Sequence, residues 1–336
     1  MIHSAPCPRA VSAALTFAAG LALSQAGCAP GALGRLPPRE AAELEQRSLS
    51  LLLRAAQTDL GEAQAHAIEA LVEVAPREGV PIFRDALRSS VPLIRYAGCM
   101  ALGAARDEAA LPELRRLLGD SDRRVRLAAA HAVCRCGDER AARLLVDALN
   151  DHPDETVRSD AAYLIGRIGD KRALKRLRLA ERREKSNRVL THIYAAMALL
   201  GDDEGLRNLI NAAQGDTVSR LIALQSLGEV ADGAAADVLR FRVRDENDYL
   251  QTRLIAARGL GRLGSDAGQA LALQALNHRE ENDVETLRVR ENAALALGAI
   301  GRADALGPLR SMAEGEPDPR LQVAACYALL QIVRER

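Results

Sequence analysis

The stretch VRSDAAYLIGRIGD, Val157 to Asp170, returns in recognisable form about every 32 residues, and a fixed period of that length restricts the chain to a repeat architecture. Aligned on Gly166, the equivalent positions are Val72, Gly103, Cys134, Gly166, Ala198, Gly228, Gly261, Gly298 and Leu330, nine copies spaced 30 to 37 residues apart. The residue before each anchor is large and apolar: Leu71, Leu102, Val133, Ile165, Met197, Leu227, Leu260, Leu297 and Leu329. Five before it stand Ala67, Gly98, Ala129, Ala161, Ile193, Ala223, Ala256, Ala293 and Ala325, small in all but one copy. This spacing puts both columns on one helical face, where small residues admit a neighbouring helix and large ones fill the groove between.

Each copy also carries its own punctuation. Gly137, Gly169, Gly201, Gly264 and Gly301 fall three after the anchor, where a left-handed residue ends a helix. Asp138, Asp170 and Asp202 follow directly and suit the start of the next helix. That helix is clearest in DERAARLLVDAL, with Ala141, Leu144, Leu145, Ala148 and Leu149 at helical spacing. Asp122, Asp154, Ser186, Asp216 and Asp318, twelve before the anchor, are placed to cap the second helix of each pair. Every unit thus reads as a helical hairpin that needs neighbours to bury its apolar face. The fold class is all-α, a solenoid of about nine stacked hairpins with atypical terminal units.

The composition agrees with this reading. The chain is 48% hydrophobic, yet it has five Tyr, three Phe and no Trp, so its core is built of Ala, Leu, Val and Ile on close-packed helices. VRSDAAYLIGRIGDKRA, VRLAAAHAVCRCGDERA and VRENAALALGAIGRADA resemble the short HEAT-like repeat named after phycobilisome lyases, over roughly residues 60 to 334. The resemblance implies a HEAT-like superhelix and an arginine ladder in which a second-helix arginine meets a turn carboxylate. Arg95, Arg126, Arg158, Arg220, Arg253 and Arg290 match that column, eight before the anchor, whereas Gln64, Leu190 and Gln322 interrupt it.

The N-terminus reads as a targeting segment. VSAALTFAAGLAL is an apolar run behind one Arg, and small residues lead to Cys28, so residues 1–27 are expected to be a secretory signal peptide. Gln25-Ala26-Gly27-Cys28 resembles the bacterial lipobox, with Gln25 where Leu is usual, and implies lipidation at Cys28 and an envelope address, an outer-membrane lipoprotein facing the periplasm. A cut after Ala26, giving a soluble exported protein, stays open. Residues 28–39 are Pro- and Gly-rich and are expected to be a flexible tether, leaving 40–336 for the solenoid, opened by a helix with Leu44, Leu49, Leu51, Leu52 and Leu53 near one face.

Catalytic signatures are sparse. Cys99, Cys134, Cys136 and Cys326 occupy packing columns, and Cys134-x-Cys136 lacks a second pair for zinc. Iron-binding HEAT enzymes such as deoxyhypusine hydroxylase use His-Glu pairs, and no His-Glu dipeptide is present. No catalytic residue, cofactor, metal or small-molecule substrate is expected, and an enzyme or accessory subunit of the lyase type is the alternative. Lys plus Arg equals Asp plus Glu at 45 each, which argues against nucleic acid as a partner. Charge is uneven, however: residues 115–188 hold 19 basic and 12 acidic side chains, set on a helix face where Glu181 and Lys185 are spaced to pair.

Two columns have no packing duty. Three before and one after the anchor, they lie one turn apart and, in a HEAT arrangement, face the concave wall. There stand Met100, His131 with Arg135, Tyr163 with Arg167, Arg258 with Arg262, and Tyr327 at the end. Polar and aromatic groups on a curved wall suit a protein or peptide partner, so the expected function is a non-catalytic interaction scaffold held to a membrane by its N-terminal lipid. Four or five residues inserted within NHREENDVETL, near Asn282, form a candidate contact loop.

Overall fold

The computed structural model describes residues 36–279 and 283–334, so the signal segment, Cys28 with residues 29–35 of the tether, and Asn282 lie outside the described residues. Helices pair along the chain as the period requires. The first pairs are α1 (Pro38–Gln57) with α2 (Glu62–Val74), α3 (Pro76–Ala86) with α4 (Pro92–Ala105), and α5 (Leu111–Leu117) with α6 (Arg123–Arg135). Next come α7 (Ala142–Asp151) with α8 (Glu155–Ile168), α9 (Leu174–Glu181) with α10 (Asn187–Leu199), and α11 (Asp203–Ala212) with α12 (Thr217–Leu227). The series ends with α13 (Gly233–Arg244) and α14 (Leu250–Arg262), α15 (Gln269–Ala275) and α16 (Asp283–Ile300), α17 (Leu306–Gly315) and α18 (Pro319–Arg334). Among the described residues there is no strand, and no helix is long and apolar enough to cross a membrane.

The punctuation residues do what their positions predict. Asp122, Asp154, Ser186 and Asp216 accept from the first-turn amides of α6, α8, α10 and α12, and Asp318 does so for Arg320 in α18. Gly169 adopts φ 82° after α8, and the four equivalent glycines are left-handed too. Arg106 takes the same place after α4 with φ 51°. A left-handed conformation costs an L-residue about 1–2 kcal/mol, and glycine's extra chain entropy returns only part of that. Arg106→Gly is therefore expected to raise stability by about 0.5–1 kcal/mol, read as a higher denaturant midpoint at unchanged slope.

Even-numbered helices form an inner layer and odd-numbered ones an outer layer. Successive inner helices pack very closely: a Cβ on Gly166 of α8 would stand 2.7 Å from the Ala196 Cα of α10, and one on Gly298 of α16 the same distance from the Ala328 Cα of α18. The anchor column is glycine-rich for this reason. Close inner spacing and bulkier outer helices bend the stack strongly, and the bend completes a circle. α18 packs between α16 on one side and α1 and α2 on the other, so the nine hairpins form a closed ring, each turning it by about 40°.

Closure leaves no free end of the kind that a stacked superhelix with atypical terminal units implies. Instead α1 buries Leu44, Ser48, Leu52 and Ala56, packed between α2 and α18. Arg334 Nε meets Glu45 at 2.8 Å, Arg320 meets Glu62 at 3.4 Å, and Tyr327 donates to Glu73 across this seam.

The arginine column holds the hairpin turns. Arg95 and Arg158 each fork onto a carboxylate of the next unit's turn, Asp120 and Glu184, while Nη1 caps two carbonyls of their own turn. Arg220 reaches Asp248 and Arg290 reaches Glu316. Arg126 and Arg253 meet carbonyl oxygens only, so carboxylate contacts skip units. Gln64 and Gln322 keep the carbonyl-capping part of the duty, on Ala56 and Glu316.

Candidate functional site

Closure turns the inner wall into the lining of a ring interior. The two inward columns on α6, α8, α14 and α18 converge there, yet their side chains are not the solvent-facing wall that an open arc would give. His131, Arg258 and Tyr327 are 4%, 7% and 1% exposed, and Met100, Arg135, Tyr163, Arg167 and Arg262 are half-buried.

The interior is joined across units that are distant around the ring. Arg167 Nε donates to the Tyr163 hydroxyl at 3.0 Å, its guanidinium lies 5.2 Å over the same ring, and Nη2 reaches Glu229 on the far side of α10 at 3.0 Å. Arg262 shares Glu229 at 3.8 Å. Gln331 Nε2 donates to the Tyr327 hydroxyl at 2.8 Å, which itself donates to Glu73. One to two turns nearer the helix N-termini, Arg124 pairs with Asp160 at 2.9 Å and lies 5.4 Å over the Tyr96 ring, and His192 meets Tyr163 edge-on at 5.9 Å. His66 Nδ1 stands 3.1 Å from Glu291.

Burial sets the proton occupancy of these groups. Desolvation drives His131 to about 3 and His192 to about 4, so both rings are neutral. Desolvation pushes Glu69 up to about 8, against the pull of His66 and Arg258. Burial works against the charge of Arg167, but Tyr163 and Glu229 outweigh it and raise its pKa. Arg258 falls to about 10 through burial and the neighbouring Arg262. For His66, burial opposes protonation and the Glu291 carboxylate outweighs it, so that pKa is raised.

Glu69, Glu73 and Glu229 were not among the sequence candidates. They occupy the same two inward columns in the first and sixth units, so the columns themselves carried the signal. The residues one and two turns lower, Arg124, Asp160 and His192, lie outside both columns, and only the interior's depth brings them in.

Other candidates fall elsewhere. The four described cysteines are free and buried, with thiols pushed up by desolvation, Cys134 and Cys326 to about 12. That disfavours the reactive thiolate. Among the described residues no group of three or more His, Cys, Asp or Glu is arranged to hold a metal ion. Glu181 does not pair with Lys185, because α9 ends at Glu181, and Asn208 reaches its carboxylate at 3.4 Å instead. The inserted stretch is not all loop: from Asp283 it lengthens α16 to 18 residues. Leu144, predicted on the apolar face of α7, is 45% exposed.

Comparison with known proteins agrees with the architecture. The HEAT repeats family model matches residues 48–134 and 81–164, and the PBS lyase HEAT-like repeat matches residues 289–315. The chain therefore contains HEAT repeats, and its fold is an all-α HEAT-like solenoid, here closed on itself. Similar solved structures include the CpcE and CpcF complex of phycocyanin lyase from Nostoc sp. PCC7120, at 20% identity over 80% of this chain and 98% of that one, TM-score 0.45. Human deoxyhypusine hydroxylase in complex with glycerol aligns at 21% identity over 79% and 99%, TM-score 0.39. Kap121p bound to Pho4p aligns at 12% over 83% and 37%, TM-score 0.34. Among curated proteins there is no match.

Proposed function

We propose that the protein is a non-catalytic scaffold, exported and tethered to the envelope through a lipid on Cys28, that engages an acidic protein partner on its outer surface. The observation that carries this reading is ring closure. A concave groove open to a peptide is replaced by an interior whose arginines and tyrosines already bind one another, which leaves the outside for a partner. The outer face of the fifth unit suits that role. Lys175, Arg176, Arg182, Arg183 and Lys185 are exposed there, and among the described residues no carboxylate lies within ion-pair distance of any of them. Leu179 among them is 46% exposed. Such a band steers an acidic surface and fixes its orientation more than it adds affinity.

Photo-crosslinking in the native envelope tests both parts. A crosslinker at position 176 or 183 is expected to capture one protein, with capture falling when Lys175 and Arg182 are reversed to Glu, whereas position 258 captures none. Adducts at 258 alone would restore the concave wall as the binding surface. Cys28→Ala is expected to move the protein to the soluble fraction, and retention on the membrane would remove the lipid from the proposal.

A further inference from the structure

Glu62, His66, Glu69 and Glu73 follow one another along α2 at spacings of four, three and four, so a single stripe of the helix holds three carboxylates and an imidazole. That stripe meets the closing helix. Glu62 stands 3.4 Å from Arg320 of α18, and Glu73 accepts from Tyr327 of the same helix. His66 reaches further: its Nδ1 lies 3.1 Å from Glu291 of α16, although α18 packs between α16 and α2. The pair therefore joins the first unit to the eighth over the ninth, with side chains only 15% and 16% exposed. The other ion pairs of the seam, Arg320 with Glu62 and Arg334 with Glu45, rest on guanidinium groups that stay charged. An imidazole gains and loses its charge near neutrality.

The surroundings of His66 are acidic. It faces Glu62 and Glu69 from its own helix and Glu291 from α16, while Arg320 of α18 acts on both Glu62 and Glu291. Glu69 in turn lies against Arg258 of α14 and Tyr96 of α4. α1 and α3 place their charges elsewhere, Glu45 on Arg334 and Arg84 on Asp107. Glu69 Oε2 is buried without a hydrogen-bond partner, a setting in which an ionised carboxylate is costly. Burial opposes charge on His66, but the carboxylates outweigh it and raise its pKa, and burial lifts Glu69 to about 8. Both groups thus hold their protons more tightly in the folded ring than in the unfolded chain. Their stabilisation is present on the acid side and lost as pH rises, above 6.5 for His66 and between 4.5 and about 8 for Glu69.

We propose that ring closure is proton-linked: protonated His66 latches the first unit to the eighth through Glu291, and the seam loosens when the proton leaves. The latch needs closure to exist, because 225 residues separate its two halves and only the ring brings α2 and α16 to the same helix. Mild acid therefore selects the tightly closed ring, and rising pH favours opening at α1, α2 and α18 before any other unit. The device is independent of the outer-face reading, since its residues line the interior.

Hydrogen exchange of the purified full-length protein, corrected for intrinsic exchange rates, tests it at about pH 6 and about pH 8.5. Protection of α1, α2 and α18 is expected to fall by about tenfold or more between the two, relative to α8 and α10 across the ring. Glu291→Gln keeps the shape of the acceptor and removes its charge, so it is expected to flatten that difference. It should also lower the pKa of the His66 ring, followed by NMR with the signal assigned through His66→Gln. An equal pH response in the seam and far-side helices would overturn the latch, as would a response unchanged by Glu291→Gln. So would a wild-type His66 ring that titrates at or below 6.5, a reading that requires no variant to fold beyond the assignment.

Discussion

Arg167→Ala is expected to lower the unfolding free energy by about 3–5 kcal/mol, measured by denaturant titration, because it strands the Glu229 carboxylate in the ring interior. The two side chains are 14% and 6% exposed and stand 3.0 Å apart, so without Arg167 the carboxylate is left largely desolvated. Arg262, at 3.8 Å, offers partial relief and sets the effect toward the lower end of that range. The double variant Arg167→Met with Glu229→Leu is expected to recover part of the loss, since replacing a buried pair by apolar residues is often neutral, while Arg262 loses the carboxylate it shares. Recovery below the Arg167→Ala level would mean that Arg167 acts mainly through Tyr163, whose hydroxyl it also holds. A loss under about 1 kcal/mol would place both charges in effective contact with solvent, as at a surface pair.

The same pair shows how far the sequence reading reached. Arg167, like Tyr163, was legible as a residue without a packing duty, because the period assigns Val157, Ala161, Ala162, Ile165 and Ile168 to core, Gly169 and Asp170 to the turn, and Arg158 to the ladder. Its partner was not, since Glu229 lies two units away and no periodicity links positions 62 residues apart. Helix ends were legible from Gly169 and Asp154, whose effects are local. Closure was not, because it depends on a small rotation repeated nine times, and Gly166 against Ala196 sets that rotation through a contact no single unit contains. An open arc and a ring differ by only a few degrees per unit. The two outcomes assign opposite environments to the same columns: solvent in one, a desolvated network in the other.

The seam gives the sharpest separation of those outcomes. Tyr327→Ala is expected to cost about 3–5 kcal/mol, as for other large aromatic truncations, because the side chain is 1% exposed and ties α18 to Glu73 of α2. Tyr327→Phe keeps the packing and removes the hydroxyl that joins Gln331 to Glu73, so about 1–3 kcal/mol is expected from it. In an open solenoid a terminal unit touches one neighbour, and damage there frays only that end. In the ring, α18 also supports α1 and α2, whose buried Leu52 and Ile68 would lose cover. Hydrogen exchange in Tyr327→Ala is therefore expected to show α1, α2 and α18 losing protection together, despite more than 250 residues between them in sequence. Loss confined to α17 and α18 would show that the seam contributes no cooperativity and that the chain behaves as a linear array.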